Sequence, residues 1–129
     1  MDAAAFEQIV AEALAAVPDP FRRYLDTVEV IVLPVPTLRQ RRALRLRPRD
    51  ILYGLYEGVT VPERVAAGTA EGGGDTFTAP SLVSIFRRPL ARDFRGPDEL
   101  RDEIRRTVWH ELAHHFGIDD NRLDELGAY

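Results

Sequence analysis

The chain contains no cysteine and no lysine. The first absence excludes a disulfide scaffold, a thiol nucleophile and any thiolate metal site. The second excludes an amine nucleophile, a Schiff base and the lysine of a phosphate-binding P-loop. All 17 basic residues are therefore arginine, set against 21 Asp and Glu for a formal charge of −4. That balance offers no overall basic field for nucleic acid or an anionic membrane. Apolar runs of membrane-spanning length are missing as well. The start, Met1-Asp2-Ala3-Ala4-Ala5-Phe6-Glu7, is acidic and lacks the basic and apolar regions of a secretory signal. The expected location is cytoplasmic. Histidine is scarce too: the three that exist, His110, His114 and His115, crowd into one hexapeptide.

What is present reads as one soluble domain over residues 1–129. A chain of this length, 45% hydrophobic and 29% charged, buries a core without staples. Phe6, Ile9, Val10, Ala13, Leu14 and Val17 recur at helical spacing, and the segment from about residue 3 to 16 is alanine-rich. Pro18 and Pro20 end that helix. Phe21 to Leu25 suits a short second turn. Val28 to Leu33 is β-branched and reads as a buried strand, closed by Pro34 and Pro36. Arg39 to Arg49 carries six arginines and reads as a solvated connection or a salt-bridging surface. Ile51 to Val59 reads as a strand with glycines at a bend, and Gly68 to Gly74 as a flexible loop. Leu82 to Arg87 is a further strand. Its flanking prolines, Pro80 and Pro89, suit an edge position.

The last helix begins near Pro97, with Asp98 and Glu99 in its first turn. Leu100, Ile104, Val108 and Leu112 form an apolar stripe at i, i+4. His110 stands about 200° from Val108 at about 100° per residue, so the histidines lie off that stripe. Gly117 falls where a left-handed cap turns the chain back. The expected fold is α+β: a small mixed sheet with an antiparallel edge strand, packed on helices, with the helix of the histidines near the C-terminus.

That helix carries His110-Glu111-Leu112-Ala113-His114. Two histidines four apart lie one turn apart on one side of a helix and can reach one Zn²⁺, and the glutamate beside the first can act as general base on a zinc-activated water. A catalytic zinc wants three protein ligands and an open position. Asp120, six residues beyond His114 and past the Gly117 turn, is the favoured third ligand, with Asp119 and then Glu125 behind it. His115 points about 100° away and reads as packed or supporting. Asp119, Asp124 and Glu125 otherwise read as a solvated acidic tail. The reaction implied is attack of water on a carbonyl, most often a peptide bond. Beyond zinc, oxyanion donors would come from Tyr53, Tyr56, Asn121, Arg122 or Tyr129.

The pattern is similar to the metzincin HExxHxxGxxH with aspartate in the third place, but the only methionine is Met1, so no Met-turn follows. Three blocks taken together resemble the small bacterial minimal zincins: Asp50 through Gly58, Ser84 through Leu90, and His110 through Asp120. The resemblance implies a zincin core cut down to its helices and a small sheet. It also implies neutral zinc peptidase activity, and an edge strand, placed at Leu82 to Phe86, that takes a peptide or unfolded segment as an added strand.

Two other readings are weighed. A metal-bearing peptide-binding module would have no need of Glu111. A metal-dependent ribonuclease would carry a third histidine where Asp120 stands. The arginine stretch lacks the aromatics that stack bases, and Ser81 and Ser84 lie in no GxSxG elbow.

Overall fold

The computed structural model describes residues 1–68 and 79–125, without the side chains of Asp120, Leu123 and Asp124. Helix α1 (Ala3–Ala15) starts where the Asp2 carboxylate accepts the Ala5 N–H at 2.8 Å, satisfying one of the free N–H groups of a helix start. Phe6, Ile9, Val10 and Ala13 form its buried face. They pack on helix α5 (Pro97–Phe116), and the Trp109 indole donates to the Ala13 carbonyl at 3.0 Å. Burying each large apolar side chain stabilises the fold by roughly 1.5–3 kcal/mol. The expected stripe of α5, Leu100, Ile104, Val108 and Leu112, is buried throughout.

A 3-10 turn over Arg22–Thr27 leads into strand β1 (Val28–Leu33). Strands β2 (Gly54–Glu57) and β3 (Ser81–Phe86) complete a mixed sheet in the order β1-β3-β2. Strand β1 runs parallel to β3, and β2 antiparallel to it. The expected edge position of Leu82–Phe86 is thus corrected: β3 is the central strand. Val83 and Ile85 are fully buried because both neighbouring strands and α5 cover them, and Phe86 is fully buried as well. Pro80 precedes the strand, and Pro89 sits in the first turn of helix α4 (Arg87–Asp93), so neither proline interrupts a ladder. The open antiparallel edge belongs to β2. Strand β1, expected to be buried, is the other edge and only partly covered.

Sheet position follows from the helices on its two faces. Gly54 and Tyr56 share a face with Ile85 and Val83 and meet α5. On the opposite face lies helix α2 (Leu38–Ala43), inside the arginine-rich stretch expected to be a connection. Thr37 and Gln40 form a capping box at its start. The buried Gln40 amide then donates to Ser84 Oγ at 3.2 Å and to Glu57 Oε1 at 2.9 Å. Arg39 pairs with Glu57 at 3.2 Å on the surface. A second capping box, Thr60 with Glu63, starts helix α3 (Val61–Ala66). Helix α6 (Asp120–Glu125) follows α5 after a short turn. Of the glycine-rich stretch from 68 to 74, all but Gly68 lies outside the described residues. No helix among the described residues is long and apolar enough to cross a membrane.

Candidate metal centre

Helix α5 ends where Gly117 adopts φ 75° and ψ 33°. Its N–H returns to the Ala113 carbonyl at 2.9 Å, and Ile118 N–H reaches the same carbonyl at 3.0 Å. A Cβ at 117 would come within 2.5 Å of Pro62 Cγ, so glycine is required there for both backbone and space. This turn sets α6 directly after the histidine-bearing end of α5. Asp120 opens α6, but its side chain lies outside the description.

His110 and His114 project from one side of α5 with ring centroids 5.7 Å apart and planes at 82°. His110 is half-buried and His114 exposed. Two neighbouring imidazoles of this kind fit the nitrogen part of a zinc donor set. Among the described residues no group of three His, Asp or Glu converges to complete one. The two other acids weighed for the third place are engaged elsewhere. Asp119 Oδ1 accepts the Arg122 N–H at 3.0 Å, at the start of α6, and Glu125 meets the Arg122 guanidinium at 3.1 Å.

Glu111 stands between α5 and the open edge of β2. Burial pushes its carboxyl above the usual carboxylate range, opposed by His114, His110 and a hydrogen bond from the Tyr56 backbone. The bond to Tyr56 follows from the ladder. Phe86 N–H donates to the Tyr53 carbonyl at 2.8 Å, which makes Leu55 and Glu57 the residues that bond to β3. Gly54 and Tyr56, the alternate residues, turn their N–H and C=O groups outward. Gly54 lets α5 come this close: a Cβ there would lie 2.8 Å from Thr107 Cγ2 and 3.1 Å from Glu111 Cγ. A groove of about 470 Å³ opens at this point, with Ile51, Leu52, Tyr53 and Gly54 on one wall and Glu103, Arg106, Thr107, His110 and Glu111 on the other.

Tyr56 was weighed from sequence only as an oxyanion donor. Its ring lies nearly parallel to that of His114, centroids 6.3 Å apart at 19°. Its hydroxyl is already engaged, 2.8 Å from His115 Nδ1, 2.9 Å from Ser81 Oγ and 3.0 Å from the Val59 carbonyl. His115 is fully buried, with Nε2 2.8 Å from Thr27 Oγ1 and 3.3 Å from the Tyr24 carbonyl. Thr27 gives its proton to that carbonyl at 2.9 Å. His115 therefore carries its proton on Nε2 and accepts from Tyr56 at Nδ1. Desolvation holds its pKa down at about 4, so the ring is neutral, as its expected packing role requires.

Tyr53 is likewise occupied. It donates to Asp93 at 2.6 Å, and that carboxyl, bonded by Arg92 and Tyr53, is held at about 2. Its phenol is raised in turn by the Asp93 bond. Neither tyrosine hydroxyl faces the imidazole pair as a spare donor. Asn121 and Arg122 are exposed on α6, and Tyr129 lies outside the described residues. The serines are structural: Ser84 is bonded by Gln40, and Ser81 by Arg64 and Tyr56.

No curated protein matches the chain. The family model of the zincin-like metallopeptidases matches residues 25–128, from the turn before β1 through the histidine helix and α6. A match over that share of the sequence establishes the family, and the chain belongs to the zincin-like metallopeptidases.

Proposed function

We propose that this protein is a zinc-dependent endopeptidase acting on extended or unfolded peptide segments, with His110, His114 and Asp120 as ligands and Glu111 as general base. The observation that carries the reading is the perpendicular imidazole pair beside a carboxylate of raised pKa at a sheet edge. When bound, zinc supplies Lewis acidity that polarises the scissile carbonyl and acidifies water. Glu111 takes a proton from the attacking water and delivers it to the leaving amine nitrogen. A carboxyl raised by burial is a stronger base than an exposed one, which suits that task.

Substrate enters along β2. Its outward Gly54 backbone and Tyr56 carbonyl offer the edge to which a peptide adds as a strand, and the groove wall of Ile51 and Leu52 receives a side chain. The occupied hydroxyls of Tyr53 and Tyr56 leave the oxyanion without help from either. A donor of that kind is worth about 10²–10³ in rate, and Asn121 and Arg122 are the described candidates left to supply it.

The test is cleavage of a peptide library by zinc-loaded protein, with Glu111→Gln as blank. Cleavage by the wild type alone supports the reading. A wild-type protein with stoichiometric zinc and no cleavage overturns it in favour of a peptide-binding module.

A further inference from the structure

Tyr56 links the site to the core through two parts of one side chain. Its ring lies along the exposed His114 imidazole, and its hydroxyl is anchored in the core on His115, Ser81 and the Val59 carbonyl. His114, Glu111 and His115 all belong to the last turns of α5, whereas Tyr56 belongs to β2. An exposed imidazole on a helix end is free to change rotamer unless a neighbour holds it. We infer that Tyr56 is the positioning residue of this centre, setting the ring of the second histidine with its own aromatic ring.

The assignment rests on the zinc peptidase reading. It also explains two sequence choices. Gly54, two residues earlier on the same strand face, is the gap that lets the Thr107 and Glu111 side chains of α5 lie against the strand. Neutral buried His115 is the acceptor that fixes the phenol. Tyr56 makes no contact with a reacting atom in this scheme. It acts through His114, as the outer partners of metal ligands do.

The experiment is a Co²⁺ and Zn²⁺ titration of the full chain as wild type, Tyr56→Phe and Tyr56→Leu, with Tm recorded for each metal-free protein. Tyr56→Phe keeps the ring and the backbone N–H and loses the anchor, so it lowers Tm and keeps the wild-type Co²⁺ absorption spectrum. Tyr56→Leu loses the ring, so it shifts the Co²⁺ bands and weakens metal binding by about tenfold. A lowered Tm with unchanged spectrum and affinity in Tyr56→Leu overturns the inference and leaves the metallopeptidase reading standing. A wild-type chain that takes up neither ion overturns both. If Tyr56→Leu does not fold, the metal-free wild type decides by NMR: nuclear Overhauser contacts between the Tyr56 and His114 rings support the assignment, and their absence overturns it.

Discussion

His115 Nδ1 and the Tyr56 hydroxyl lie 2.8 Å apart, joining the histidine helix to the edge strand through a ring with no exposed surface. Burial holds the folded-state pKa at about 4, with Arg64 pushing the same way, while an unfolded histidine titrates near ~6.5. The unfolded chain therefore binds the proton first. Stability is complete above about pH 6.5, falls as pH drops towards 4 and changes no further below that through this group. The full difference is on the order of 3 kcal/mol. Urea unfolding of metal-free wild type and His115→Gln from pH 8 to pH 4 checks it. The variant is the less stable at pH 8, and the gap narrows across that window. A gap of constant size would mean that His115 is not kept neutral by burial.

Gly54 is the second contact between these two elements. A Cβ there meets Thr107 Cγ2 at 2.8 Å and Glu111 Cγ at 3.1 Å, with the Ser84 carbonyl at 3.4 Å on the far side. Either the Thr107 side chain or the helix that carries it must shift. Overpacking of this kind costs about 1–3 kcal/mol. Gly54→Ala should lower stability by that amount and reduce peptidase activity further than stability explains, because Glu111 is one of the groups displaced. Thr107→Ser removes the clashing methyl, so Gly54→Ala/Thr107→Ser should regain part of the stability. No regain would place the strain elsewhere.

The helices were legible wherever apolar spacing was regular. The stripe from Leu100 to Leu112 and the face from Phe6 to Ala13 are the buried faces found, because a 3.6-residue period leaves few other solutions. The short helices were not read from the sequence. α2 and α3 hold six residues each, too few for periodicity, although Thr37 with Gln40 and Thr60 with Glu63 are capping boxes visible in the sequence. Strand order was out of reach for a different reason. Pro80 and Pro89 flank a central strand as readily as an edge one when they fall outside the ladder. That His110 and His114 are neighbours on one side of α5 was legible because residues four apart lie one turn apart on a helix. Tyr56 was seen only as a phenol, because its use depends on a fold-level meeting of β2 with α5.

In the proposed mechanism Glu111 trades stability for its chemistry. Burial raises its folded-state pKa, so the ionised carboxylate is disfavoured inside the metal-free protein. The stability associated with this group is fully present below the unfolded value and is lost as pH rises through the folded one. Glu111→Gln, uncharged and close to the same shape, removes that loss. Metal-free Glu111→Gln should unfold at higher urea than wild type at pH 7, with the two converging near pH 4. A variant weaker than wild type at pH 7 would show that the carboxylate is better solvated than its position between α5 and β2 indicates.

For the proposed zinc site the third ligand is the choice to be made, and the surroundings of α6 narrow it. Asp119 is occupied at the helix start by the Arg122 N–H, and Glu125 by the Arg122 side chain. Asp120 follows the Gly117 turn at the first position of α6, six residues past His114. Asp120→Ala should weaken Zn²⁺ binding by at least about tenfold, since even an outer partner of a ligand is worth that much. Glu125→Ala should leave binding unchanged. Asp119→Ala should cost about 1 kcal/mol of stability as a lost cap, with zinc affinity kept. Competition with a chromophoric chelator measures all three on one scale. Wild-type affinity in Asp120→Ala, with a loss in either neighbour instead, would move the third ligand to that neighbour and leave the histidine pair as it stands.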